Sequence, residues 1–154
     1  MIKSGLIISL ALWLSFFWGS NAMARSPLPN LTTARVISPV CVVSGIAEAE
    51  VQSLQSALCE TAARLLSDRG ARVEVLALND PRLTEPGRLV IGLRFHIEAT
   101  REGQTLLTVT GQVSGEGRRI PTAAHAATFD TAHPIITPAV RECLQKVLQE
   151  HGLL

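Results

Sequence analysis

The stretch from residue 88 to residue 114 constrains the fold most. Leu89, Ile91, Leu93, Phe95 and Ile97 alternate with Val90, Gly92, Arg94, His96 and Glu98, and Leu107, Val109 and Val113 alternate in a second run. A period of two marks a half-buried strand, so the two runs read as a hairpin. Two turns are available between them. A two-residue turn at Glu102-Gly103 pairs Ile97 with Thr108 and Phe95 with Thr110, which sets apolar against polar. A three-residue loop, Arg101-Glu102-Gly103, pairs Ile97 with Leu107, Phe95 with Val109 and Ile91 with Val113. One slipped residue turns a whole strand over, so the second register is expected. Gly103 then takes the left-handed position of a type I turn with a bulge. In this register Leu93 faces Gly111, which leaves room for a neighbouring side chain.

Upstream, Arg35 to Val43 is apolar and β-branched, interrupted by Ser38-Pro39. It reads as a first strand, broken or placed at an edge by the proline. Ser44-Gly45 then opens a helix with Ser44 as its N-cap. Val51, Leu54, Leu58, Ala62 and Leu65 recur at helical steps, and Gly70 supplies the left-handed residue that ends the helix. Arg72 to Leu78 is expected to be the next strand. Strand, helix and strand make a βαβ unit, so the first two strands should be parallel. Asn79-Asp80-Pro81 breaks the pattern and a loop runs to Gly87. Beyond the hairpin, Gly115, Gly117 and Pro121 mark a loop around Arg118-Arg119, and Ala123 to Phe129 reads as a short fifth strand or as loop. Thr137-Pro138 is a helix start, with a hydroxyl N-cap and proline in the first turn. Val140, Cys143, Leu144, Val147 and Leu148 form the apolar stripe of that helix, and Gly152 ends it.

The order β-α-β-β-β-(β)-α predicts an α+β fold: a two-layer α/β sandwich with a mixed 4–5-stranded sheet and two helices on one face. Leu76, Leu78, Val90 and Leu106 decide whether the other face is bare. They alternate with Arg94, His96, Glu98, Thr108 and Thr110, so that face is mixed. An open, partly apolar face or edge favours a protein partner. In architecture alone, the element order resembles small envelope-assembly and transport-accessory domains of bacteria.

Residues 1–24 read as a secretory signal peptide. Lys3 gives the positive start, Leu6 to Trp18 is apolar apart from two serines, and Ala22-x-Ala24 is a small-residue cleavage pair. Cleavage is expected after Ala24. The apolar run is shorter than the roughly 20 residues of a spanning helix, and no lipid-modifiable cysteine follows it, so no stable membrane anchor is expected after cleavage. Residues 25–34 form a flexible leader, and 35–154 a single domain that is periplasmic or secreted. Asn30-Leu31-Thr32 matches a glycosylation sequon.

Cleavage removes Lys3, which leaves thirteen basic against thirteen acidic side chains, and Phe95 and Phe129 as the remaining aromatics. That balance gives no electrostatic footprint for nucleic acid. So few rings offer no stacking platform for bases, and sugar sites also commonly use aromatic rings. Cys41, Cys59 and Cys143 remain. In an oxidising compartment two of them pair and one is left over. Cys59 and Cys143 sit in the two expected helices, and a bridge between them is the preferred pairing. Cys41 precedes the first helix and is able to reach either. Three buried thiols are the plainer alternative.

Few residues carry chemistry. His125, Asp130 and His133 are the one compact set of metal-type ligands, with a spacing that matches no metal motif. Cys41 is the candidate nucleophile, because the other cysteines lie on apolar stripes. His96 reads as a solvated cross-strand neighbour, and His151 as a cation in the last turn of its helix. Arg118-Arg119 reads as a solvated loop tip or an anion contact. Serine-hydrolase and phosphate-loop motifs are missing from the sequence. The leading expectation is a non-enzymatic exported binding or envelope-assembly accessory module, without cofactor, whose partner is an envelope or secreted protein. One alternative is a small exported hydrolase or metal-dependent enzyme using His125, Asp130 and His133, or Cys41. Another is a carrier of an apolar ligand or lipid, held in a slot between helices and sheet.

Overall fold

The structure is a computed structural model that describes residues 36–115, 118–130 and 136–154. The expected signal segment, its cleavage site at Ala24, the leader 25–34 and His133 lie outside the described residues. The fold is α+β: a mixed five-stranded sheet with two helices packed on one face.

The hairpin forms β2 (Arg88–Ala99) and β3 (Thr105–Gly115). Its register is the three-residue one. Ile97 sits opposite Leu107, Phe95 opposite Val109, Leu93 opposite Gly111 and Ile91 opposite Val113. Gly103 has φ +79°, and its N–H donates to Thr100 O at 3.1 Å. This register puts the bulky apolar side chains of both strands on one face, where Ile91, Phe95, Leu107 and Val109 are fully buried.

β1 (Val36–Ser44) runs parallel to β2, pairing Ile37 with Leu89 and Ser44 with His96. The expected strand 72–78 forms incompletely. It keeps the parallel direction, with one bridge between Ile37 and Val73. Ile37 N–H donates to Arg72 O, Glu74 N–H to Ile37 O and Leu76 N–H to Pro39 O. The next bond of a parallel ladder needs a donor from residue 39, and proline has none. The proline therefore thins the pairing on that side of β1 and leaves 72–78 as a loosely held edge.

α1 (Glu48–Ser67) starts later than its sequence signals suggest. Ser44 is not its N-cap; it closes β1, and Ala47 occupies the cap position without a side-chain bond. α2 (Pro138–Glu150) starts as expected, with Thr137 Oγ1 accepting from Val140 N at 3.3 Å. α1 lies over β1, while α2 lies over β3 and β5. The room opposite Leu93 is used: a Cβ on Gly111 would sit 2.6 Å from Val147 Cγ1 of α2.

Two short strands, β4 (Arg118–Pro121) and β5 (His125–Thr128), share the far edge of β3. β5 falls within the ambiguous 123–129 stretch, whereas β4 lies where a loop was expected. Thr122 joins them across Gly111, with its N–H donating to Gly111 O at 2.8 Å and its Oγ1 accepting from Gly111 N at 2.6 Å.

The cysteine pairing differs from the preferred one. Cys41 on β1 is joined to Cys59 on α1, with Cα atoms 5.8 Å apart, and Cys143 is a buried free thiol. The cause is helix placement. α1 lies directly over β1, so Cys59 sits above Cys41, whereas α2 and its Cys143 cover the other half of the sheet. Burial pushes the Cys143 thiol pKa up.

Candidate docking face of the sheet

The helices cover one face of the sheet; the register defines the other row by row. Ser44, His96 and Thr108 share a row, as do Val42, Arg94 and Thr110. Val40, Gly92, Gln112 and Pro121 form the next. Gly92 contributes no side chain, and a Cβ there would meet nothing closer than Gln112 O at 3.7 Å. The row is therefore sunken. It floors a groove of about 370 Å³, with Val42 and Leu78 along one wall and Arg94, Thr110 and Gln112 along the other. One wall is apolar and the other offers hydrogen-bonding groups, the mixture that protein interfaces use.

Val42, Val75 and Leu78 are the large hydrophobic side chains exposed among the described residues, at 37%, 48% and 72%. Val42 and Leu78 line this groove, on β1 and the edge segment beside it, and Val75 is exposed on the other side of that segment. Leu76, two residues before Leu78, is buried, as are Val40 and Ser38. Beyond Leu78 the chain continues as a strap, 79–87. A short 3-10 turn (Pro81–Thr84) is capped by Asp80, which accepts from Arg82 N at 2.9 Å. Arg88 then ties the strap to the sheet. Its Nη1 donates to Ser38 Oγ at 2.6 Å and Glu74 Oε2 at 3.0 Å, and its Nη2 to Glu85 Oε2 at 2.6 Å. The Arg82 guanidinium beside Asp80 holds that carboxyl down at about 2.

His96 is exposed, as expected, and its Nδ1 lies 2.9 Å from Ser44 Oγ across the strand pair. His125 is held by α2. Its Nε2 bonds Glu150 Oε1 of α2, and Glu150 also accepts from Ala123 N at 3.0 Å. That contact ties β5 to α2 and lowers the Glu150 pKa. Among the described residues no three His, Cys, Asp or Glu side chains cluster as metal ligands. Cys41 is held in its disulfide and has no thiol to attack with. His151 is buried at 4% exposure, with both ring nitrogens unpaired, and burial lowers its pKa. It is therefore a neutral ring, where the sequence suggested a solvated cation.

Sequence reasoning named Leu76, Leu78, Val90 and Leu106 as the deciding face residues, but gave no sign that Leu76 would be covered and Leu78 bare. Val42 and Val75 were missed as exposed groups. Their signal is present in Pro39, whose missing donor loosens the neighbouring edge.

No protein-family model matches the sequence, and no curated protein matches it. Solved structures do. A variant of PelC from Paraburkholderia phytofirmans, a dodecamer in space group C2, aligns with TM-score 0.54 and 17% identity over 80% of this chain and 92% of that chain. A second PelC dodecamer from the same organism, in space group P6, aligns with TM-score 0.47 and 16% identity over 77% and 88%. The likeness is one of fold.

Proposed function

We propose that this chain is an exported, non-enzymatic envelope-assembly module that works as an assembly of its own copies and docks an envelope or secreted protein. The observation that carries the reading is the bare corner of the sheet, where Val42 and Leu78 line an open groove of mixed character and Val75 is exposed on the other side of the same edge. Exposed apolar surface beside such a groove marks interaction sites. The disulfide between Cys41 and Cys59 supports an oxidising compartment, which agrees with the expected signal peptide. The PelC structure that shares the fold is a dodecamer, which supports self-assembly here. The His125–Glu150 contact and the disulfide-bound Cys41 are spent on holding the fold together, which favours binding over catalysis.

The test is chemical crosslinking in the cell envelope, followed by capture of the tagged chain. The wild-type protein is expected in crosslinked species larger than one protomer. Leu78→Glu, at a position already 72% exposed, should fold normally and lose those species. Recovery of a single uncrosslinked protomer from wild type would overturn the reading.

A further inference from the structure

The edge beside β1 is left unfinished by the fold. In 72–78, the N–H of Glu74, the N–H of Leu76 and the C=O of Arg72 face β1 and are bonded there. The alternate residues must then face away. Among the described residues, neither Val73 nor Val75 makes a backbone hydrogen bond, and the N–H of Ala77 makes none either. Open donors and acceptors in a row are a template for another strand.

The side chains do little to discourage such pairing. Segment 72–78 has no lysine and no proline, the residues that usually blunt an edge. Its one carboxylate, Glu74, lies 3.0 Å from Arg88, 3.8 Å from Arg72 and 4.0 Å from Arg82. Val75 is half exposed on one side of the edge and Leu78 largely exposed on the other. An added strand would cover apolar surface on both sides.

We infer that a second copy of this chain pairs with this edge, 72–78 against 72–78, antiparallel about a two-fold axis at Val75. The inference rests on the self-assembly reading above and names the surface that performs it. The open groups favour a second copy because they are self-complementary. With the axis at Val75, Val75 exchanges both bonds with Val75 of the second copy, and Val73 pairs with Ala77, whose N–H is open and whose C=O also accepts from Asp80 N–H in the turn that follows. Every outward group in the central stretch then finds a partner, as a closed isologous interface requires. On the outer side Leu76 lies beside Glu74, and the extended edge ends at Ala77, where the turn closed by Asp80 N–H begins. Two five-stranded sheets become one continuous sheet.

The geometry makes a specific test. Residues in a hydrogen-bonded antiparallel pair have Cα atoms about 5.5 Å apart, within the reach of a disulfide. Val75→Cys is therefore expected to give a covalent dimer on a non-reducing gel in oxidising buffer. Thr128→Cys, exposed on the opposite edge, should stay a monomer on the same gel. Val75→Lys should keep the circular dichroism of wild type and halve the mass measured by light scattering. If wild type assembles but Val75→Cys gives no more covalent dimer than Thr128→Cys, the edge inference falls and self-assembly stands. Capture of Val75→Cys on a different envelope protein in place of itself assigns the edge to another occupant and also overturns the inference. Wild type that stays a single protomer removes both readings.

Discussion

Gly111 is the residue on which the two layers meet most closely. A methyl group there would sit 2.6 Å from Val147 Cγ1 and 3.3 Å from Thr122 Oγ1. Both neighbours are held, Val147 by α2 and Thr122 by its bonds to the Gly111 backbone. Gly111→Ala should cost about 1–3 kcal/mol in urea unfolding, the usual cost of overpacking. Adding Val147→Ala should recover part of that loss, because the two sites share one contact. His151 gives the second prediction at this scale. Its folded pKa is depressed by burial, so the unfolded chain binds the proton more readily. The stabilising effect is complete above its ordinary value of 6.5 and declines as pH falls below it. Glu150 acts lower down, its stabilisation being lost as pH falls below 4.5. Melting temperature should therefore drop between pH 7 and pH 5. His151→Leu should flatten that part of the curve while leaving the drop near pH 4. The room above Gly111 was legible from the hairpin register. The burial of His151 was not, because its position at a helix end gives the same pattern whether the ring faces water or core.

At the scale of elements, the disulfide is the largest single constraint. It closes a sequence separation of 18 between β1 and α1. Replacing both Cys41 and Cys59 by alanine should lower stability by about 3 kcal/mol, read by denaturant titration. Cys143→Ala, by contrast, should leave non-reducing mobility unchanged. The pairing could not be read from the sequence, since both helices carry a cysteine on the buried stripe. What decides it is which half of the sheet each helix covers, a tertiary fact. The hairpin was legible because alternation is strict and only one register matches apolar with apolar. β4 was not: Arg118–Pro121 has no alternation, and it is a strand because β3 extends far enough to pair with it. Segment 72–78 lies between these cases. Its direction was legible from the βαβ order, and its incompleteness follows from a proline on the neighbouring strand.

For the whole molecule, the mixed outer face was legible as a composition, but its open corner was not. Along that corner Val40 and Leu76 are buried while Val42 and Leu78 are exposed, and Arg88 ties the strap 79–87 to the sheet through Ser38 and Glu85. The account's central claim is that this corner joins copies of the chain. The most direct measurement is the mass of residues 25–154, purified with the disulfide intact, by light scattering across a hundredfold concentration range. The account predicts a stable mass of at least two protomers, reduced by Leu78→Glu. A wild-type mass of one protomer throughout that range would contradict it.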